Sequence, residues 1–313
     1  MPKNNFTYDI SLVSWNSSVW LEKCLNSLLQ QTQKPENIFV VDNNSADNSL
    51  EILKKFPGVM VFRQNENLGF AKAHNLNIHE SKTDFILVVN PDVVLEKNYV
   101  EALLDYAAGN ASASALVGTV KKYEGGGIDT TGIEIKPWRI AKEIKINFSQ
   151  PTRVFGVSGA VALFRKKALG EIKIGNEFFN ESFFAYKEDI ELAWRLNWAG
   201  WQAYCVPEAV GRHFRSLSKN TPRKIRGDLG RGLSFRNHLL LYAAVETRGT
   251  LLPDLWLILS FEILKLVYLL ITDFRVTVKA LAEAKKMWHS ARTFAKQEKR
   301  IIKAVDLRKI FKA

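Results

Sequence analysis

Four polar clusters each follow an apolar run in the first hundred residues. They are Ser14-Trp15-Asn16, Asp42-Asn43-Asn44-Ser45, Asn65-Glu66-Asn67-Leu68-Gly69-Phe70 and Asn90-Pro91-Asp92. Open α/β sheets bind ligands beyond the carboxyl ends of their strands, so four polar strand ends form a floor suited to a nucleotide. Any one of these turns also fits ordinary capping and turn chemistry. Asp92 supplies a carboxylate for a hard divalent cation, which would offset phosphate charge. No GxGxxG follows the first strand and no GxxxxGK[ST] occurs, which argues against a dinucleotide oxidoreductase and a P-loop NTPase.

A second informative stretch is Phe183–Trp201. Glu188 and Asp189 open a predicted helix there, where the dipole favours carboxylates. One of them is placed to take a proton from a sugar hydroxyl, and plain N-terminal helix charge is the simpler account. Trp198 and Trp201 are candidate acceptor contacts through stacking, with core packing as the alternative. His213 follows a predicted strand and fits either a metal ligand or an isolated structural histidine.

These residues need a scaffold, and the periodicity predicts one. Tyr8–Trp15, Ile38–Val41, Val59–Phe62 and Phe85–Val89 read as strands. The helices between them run from a Ser17 or Ser18 cap to Gln31, from an Asp47 cap through Leu53, and over Gly69–His79. Unbroken apolar runs such as Ile86-Leu87-Val88-Val89 suit strands covered on both faces, hence an α/β, mainly parallel, doubly wound sheet. Further strands are expected at Ala115–Val120, at Val154–Phe164, interrupted by Gly156 and Gly159, and at Gln202–Val206, with a weak β-excursion over Ile128–Phe148. The catalytic domain is expected over 1–215, with a helical, basic, membrane-associating extension over 216–313 that starts with a helix over Arg226–Arg248.

The chain has 313 residues, 47% of them hydrophobic, and a net charge of +12. The charge is not spread evenly. Arg275 to Ala313 holds twelve Lys or Arg against Glu283, Glu298 and Asp306, so the rest is nearly neutral and the protein is no nucleic-acid coat. Cys24 and Cys205 form no metal or disulfide spacing, which fits a reducing compartment. The polar start, Met1 to Asp9, lacks the apolar region of a secretion signal.

The motifs resemble inverting GT-A glycosyltransferases of family 2, and most of all the bacterial rhamnosyltransferase branch. The resemblance rests on VSWNS at 13–17, VVDNNSADNS at 40–49, NENLGFAKAHN at 65–75, VVNPDVVL at 88–95, FFAYKEDIELAWR at 183–195 and FRNHLLLY at 235–242. It implies a GT-A, Rossmann-like catalytic domain with a C-terminal helical extension. It also implies site roles. Asp42 would recognise a pyrimidine base, and Asn16, Asn44, Asn67, Lys72, Asn75 and Asn90 would line the nucleotide-sugar pocket. Asp92, with His213, would hold Mg²⁺ or Mn²⁺ against the diphosphate, and Asp189 would be the catalytic base, with Glu188 beside it as a candidate acceptor contact. The implied donor is a nucleotide sugar, dTDP-rhamnose first, and the implied acceptor a glycan or lipid-linked glycan. Asn90-Pro91-Asp92 departs from the DxD of many relatives by having one carboxylate, and the QxxRW element of processive synthases is missing. A sugar nucleotidyltransferase would need a Gly-rich basic loop after the first strand, which is absent. A non-catalytic membrane-associated protein is the other alternative.

Leu255–Ile271 is apolar except for Glu262 and Lys265. On a helical wheel Asp254, Glu262, Lys265 and Thr272 share one narrow side, which suits an interfacial helix, while a length near the lower limit for spanning leaves spanning and burial open. The basic tail beside it is expected to face anionic lipid, placing the protein peripherally on the cytoplasmic face of the membrane.

Overall fold

The computed structural model describes residues 5–215 and 227–311. Its first part repeats strand and helix: β1 (Tyr8–Ser14), α1 (Leu21–Leu29), β2 (Ile38–Asp42), α2 (Ser49–Leu53), β3 (Val59–Arg63), α3 (Gly69–Glu80) and β4 (Phe85–Val89). A short β5 (Val93–Leu95) and α4 (Tyr99–Gly109) lead to a long β6 (Ala113–Lys122). The excursion contains β7 (Ile128–Thr130), β8 (Ile133–Ile135) and β9 (Ala141–Glu143). Then come β10 (Thr152–Val154), β11 (Val161–Arg165), α5 (Lys166–Ile172), α6 (Glu188–Trp198) and β12 (Gln202–His213). Helices α7 (Asp228–Ala244), α8 (Arg248–Leu251), α9 (Leu255–Thr272), α10 (Phe274–Ala295) and α11 (Ala304–Ile310) close the chain.

The main sheet runs β10-β12-β6-β11-β4-β1-β2-β3. β1 is parallel to β2 and β4, β2 to β3, and β12 to β6, while β11 runs against both β4 and β6. Every residue of β2 and β4 is buried, as strands covered on both faces require. The expected α/β architecture is therefore present.

The local readings need four corrections. α1 begins after Trp20 with no side-chain cap, and Ser17 instead turns its hydroxyl to the Trp15 carbonyl. Asp47 does not occupy the cap position of α2, which is Asn48. Its carboxylate accepts from Ser49 N and Oγ and from Ser18 N, and so ties the first two strand ends together. The strand expected over Val154–Phe164 is two strands, because Gly156 lies against Ala193 and Gly159 against Phe70; a Cβ on Gly156 would stand 2.5 Å from that of Ala193. The strand expected to end at Val206 continues to His213, crossing an irregularity between Cys205 and Val210 before it pairs with β5.

The helices after residue 227 are not a detached appendage. Leu240 and Leu241 of α7 and Leu307 of α11 share a buried cluster with Trp194 and Trp198 of α6. Buried Arg139 binds Glu246 at 2.5 Å, Asp254 at 3.1 Å and the Thr250 carbonyl, and Arg308 reaches Asp254 at 2.7 Å. The helix expected over Arg226–Arg248 spans Asp228–Ala244, with Arg226 outside the described residues and Arg248 opening α8. Part of the basic tail is committed within the fold, since Lys299 pairs with Glu171 at 2.9 Å.

α6 is pinned by an ion pair with almost no solvent contact. Arg195 makes two 2.8 Å bonds to Glu191 and also donates to the carbonyls of Ile172 and Phe178. Arg195→Met is expected to lower stability by about 3–5 kcal/mol, because it strands a buried carboxylate. Urea unfolding measures this, and a loss below about 1 kcal/mol would contradict the pinning role.

Candidate functional site

The β12–β5 pairing brings together two residues 121 positions apart. His213 lies in register with Val93, next to Asp92, and its Nε2 stands 3.2 Å from Asp92 Oδ1. The other ring nitrogen meets Asp129 Oδ2 at 2.9 Å, and Arg215 Nε donates to Asp129 Oδ1 at 2.6 Å. Burial opposes charge on His213, but Asp129 and Asp92 outweigh it and push its pKa up to about 9. Burial also opposes charge on Asp129, yet hydrogen bonds from His213 and Arg215 hold it below the usual carboxylate range.

This donor set suits a divalent cation. A ring nitrogen facing a carboxylate, with the far nitrogen steered by a second carboxylate, is a common arrangement around metals. Among the described residues no group of three His, Cys, Asp or Glu is placed to hold a metal ion. Asp92 and His213 would therefore leave most of the coordination sphere to phosphate oxygens and water.

Asp189 lies in the first turn of α6. Gly159 N donates to its Oδ2 at 2.9 Å and Ile190 N to its Oδ1 at 2.8 Å. Burial raises its pKa despite those bonds and the Lys187 ammonium. Glu188 is raised too, by burial and then by the charge of Asp189, and its Oε2 has no hydrogen-bond partner. Burial raises the pKa of Glu143 on β9, and the charge of Asp189 adds to that while Arg215 opposes it. The base candidate and the metal pair thus belong to one electrostatic unit linked through Arg215, Asp129 and Glu143. Sequence reading missed all three, since nothing in their local spacing announces them.

The backbone ahead of Asp189 is unusual. Phe184, Tyr186 and Lys187 all have left-handed φ, at 61°, 70° and 71°. Such conformations persist only where surroundings impose them. Asn237 on α7, fully buried, donates to the carbonyls of Phe183, Ala185 and Tyr186 at 2.8, 2.9 and 2.7 Å. Arg236 adds bonds to the Ser182 and Phe183 carbonyls, both at 3.1 Å. The Phe184 carbonyl in turn accepts from Phe70 N and Ala71 N at the start of α3. Only glycine fits at 69, because a Cβ there would lie 2.6 Å from that carbonyl.

Several residues assigned to the donor therefore have structural employment. Asn75 spends its amide on Phe179 N, the Phe179 carbonyl and Glu181, so it staples α3 to the segment before the base rather than lining a pocket. Asn67 accepts from Gly69 N at 2.8 Å and shapes the turn into α3. Asn16 and Asn44 both have left-handed φ, which Asn tolerates, and Asn16 accepts from Ala46 N at 2.8 Å. Asn90 donates its N–H to the Ala160 carbonyl at 2.9 Å, which fixes the approach to Asp92. Lys72 is exposed on the first turn of α3. Asp42 is fully buried: one oxygen accepts from Ser45 N at 3.1 Å and the other has no partner, an acceptor that a ligand N–H would satisfy.

Of the two tryptophans, Trp198 is corrected. Trp198 is 2% exposed, donates to the Val245 carbonyl at 3.1 Å and belongs to the core. Trp201 is half-buried, packs on the main core and lines a small gap that Asp189 also lines. The aromatic surface beside the metal pair is Trp20, Phe214 and Tyr123, whose rings stack with centroids 3.7 and 3.4 Å apart in turn. They line, with His213 and Lys187, a cavity of about 1060 Å³ walled on its other side by α7, α9 and α10.

Comparison with known proteins agrees with this geometry. An L-rhamnosyltransferase of Mycobacterium tuberculosis, named for N-acetylglucosaminyl-diphospho-decaprenol, is 28% identical over 235 residues, covering 66% of this chain and 75% of its own. The Staphylococcus aureus poly(ribitol-phosphate) β-N-acetylglucosaminyltransferase TarP is 25% identical over 181 residues, covering 55% of this chain and 53% of its own. Among solved structures, GalNAc-T7 with UDP, GalNAc and Mn²⁺ superposes with a TM-score of 0.63 at 15% identity, covering 76% of this chain and 48% of that one. S. aureus TarS 1–349 with UDP-GlcNAc superposes with a TM-score of 0.61 at 14% identity, covering 98% and 90%. These likenesses establish the GT-A fold. The family described as glycosyl transferase family 2 matches residues 9–173, more than half of the chain, and the protein belongs to that family of glycosyltransferases.

Proposed function

We propose that this glycosyltransferase moves L-rhamnose from dTDP-rhamnose, with inversion, onto a lipid-linked glycan of the cell envelope, working peripherally at the cytoplasmic face of a membrane. The observation that carries the reading is the linkage of the Asp92–His213 pair to Asp189 in one polar site. The sugar and the lipid-linked acceptor rest on the name of the mycobacterial relative and on the NENLGFAKAHN signature.

A divalent cation held by Asp92 and His213 would neutralise the diphosphate and favour its departure. Asp42 supports pyrimidine recognition through its unpartnered oxygen. Asp189 removes the proton of the acceptor hydroxyl, and burial that raises its pKa brings it closer to the ideal for a base near neutral pH. The acceptor oxygen forms the new bond to the anomeric carbon from the face opposite the diphosphate. The bond to the diphosphate oxygen breaks, and its electron pair leaves with the nucleoside diphosphate.

The peripheral reading is supported by α9. Its polar residues face inward: Glu262 binds His238 at 2.6 Å and Tyr242 at 3.2 Å, and Lys265 reaches Glu262 at 3.5 Å. Its apolar residues face out, with Leu264 71% and Ile271 79% exposed. The stretch Arg248–Thr272 is long and apolar enough to span a bilayer. However, Lys265 and Leu269 line the cavity that His213 and Lys187 also line, and α10 turns back at once along α7. A helix held along the side of the domain lies in the interface instead. Exposed Arg275, Lys279, Lys285 and Lys286 flank it. Cys24 and Cys205 are free and buried, in keeping with a reducing compartment.

Three measurements test this reading. Asp189→Asn is expected to slow transfer by about 10²–10⁴ with nucleotide affinity retained, and a loss under threefold would remove the base assignment. Asn237→Ala is expected to lower kcat by about tenfold or more, with the KM for the donor changed far less, since it acts on the aim of Asp189. An equal rise in KM with kcat intact would contradict that. Co-sedimentation with anionic vesicles is expected to fall as salt rises, and Ile263→Glu with Ile271→Glu is expected to abolish it. Binding to neutral and anionic vesicles that is equal at every salt concentration would refute the electrostatic part.

A further inference from the structure

The cavity of about 1060 Å³ beside His213 is not explained by the donor. Asp42, Asn16 and Asn67, at the nucleotide floor, are absent from its lining, and the metal pair touches it only through His213. Its far side is built by the helical extension: Arg231 and Phe235 of α7, Lys265 and Leu269 of α9, Val276 of α10. Six Lys or Arg line it against three Asp or Glu. Two of those acids are already answered, Asp129 by Arg215 and Asp273 by Arg231.

The cations concentrate where α9 meets the segment before the base. Lys187 is the residue immediately before Glu188 and Asp189, and Lys265 faces it from α9. Burial, opposed by Glu262 and helped by the Lys187 ammonium, lowers the pKa of Lys265 to about 8. Burial likewise lowers Lys187. Glu262 pairs with Lys265 at 3.5 Å and acts on Lys187 as well, as do Glu188 and Asp189, and an anion in the cavity would give the two partly desolvated ammonium groups a further counter-charge.

Resting on the membrane reading above, we propose that the cavity wall formed by Lys187, Lys265 and Arg231 receives the phosphate or diphosphate of the lipid-linked acceptor. The position follows from α9 itself. One side of this helix lines the cavity through Lys265 and Leu269, and the other exposes Ile263, Leu264, Val267 and Ile271. A helix is about 10 Å across with its side chains, so a lipid against the outer side has its headgroup phosphate within one helix width of the cations. The first sugar beyond that phosphate then lies in the cavity beside Lys187, two residues before Asp189, where the stacked Trp20, Phe214 and Tyr123 also form part of the wall. Anion binding at this wall thus sets which hydroxyl of the acceptor arrives at the base.

The test uses the full chain and farnesyl diphosphate as probe, with inorganic pyrophosphate and farnesol as separate arms. Farnesyl diphosphate is expected to bind in the presence of saturating dTDP and Mn²⁺. Lys265→Gln and Lys187→Gln are each expected to weaken it about tenfold or more while dTDP affinity stays within twofold. Retained dTDP binding and vesicle binding show that the variants are folded and keep the donor and membrane readings separate from this one. Displacement of the probe by dTDP would overturn the proposal, because the cavity would then be the donor's own anion site. Equal affinity of wild type and both variants, or no probe binding, would overturn it as well. Pyrophosphate binding as tightly as farnesyl diphosphate would refute the lipid component, and farnesol doing so would refute the anion component.

Discussion

The site depends on the fixed shape of the segment 182–187. Three residues there adopt left-handed backbone conformations that a free chain would leave at once, at a cost on the order of 1–3 kcal/mol each. The compensation is specific. One buried side chain, Asn237, collects three carbonyls that α6 cannot use, and Arg236 collects two. On the opposite side the Phe184 carbonyl satisfies two N–H groups at the start of α3, which a helix otherwise leaves open. A strained turn, a helix start and a helix middle are thereby locked as one unit, and Asp189 emerges from it with both oxygens directed by backbone N–H groups.

That unit explains why three separated motifs occur together. Gly69 gives the Phe184 carbonyl room, Asn75 grips Phe179 and Glu181, and Arg236-Asn237 holds the next stretch. The motif NENLGFAKAHN looks like a ligand-binding run because it is rich in amides. Much of that amide content goes to the backbone of its neighbours. Helix-borne asparagines with both ends satisfied rigidify a site without touching its substrate.

The sheet was legible in the sequence because buried parallel strands leave unbroken apolar runs, as in Ile86-Leu87-Val88-Val89. The charged members of the site were legible when they sat at strand or helix ends, as Asp42, Asp92 and Asp189 do. His213 could be noticed but not placed, because its meeting with Asp92 depends on a strand that runs past an irregularity after Cys205. Asp129 and Glu143 lie in the short strands β7 and β9 and Arg215 just past β12, and all three act through pairings that no periodicity encodes. Trp198 misled for a related reason: aromatic density looks the same whether the rings face a sugar or a core, and only burial separates the two.

The C-terminal helices change how the whole chain is to be understood. A soluble helix normally turns its apolar stripe inward. α9 does the reverse, offering Glu262 and Lys265 to His238 and to the cavity while Leu264 and Ile271 face outward. Its inward polar contacts reach α7, and α7 carries Arg236 and Asn237, which set the segment ahead of Asp189. A helix on an apolar surface is thus two contacts away from the base. In the membrane reading this fixes the height and tilt of the reaction centre above the lipid, since α9 cannot shift in the interface without disturbing the His238–Glu262 pair and, through α7, the strained turn. Membrane attachment and catalytic geometry then form one mechanical unit, which accounts for why the extension shares a buried core with α6 rather than trailing from the domain on a linker.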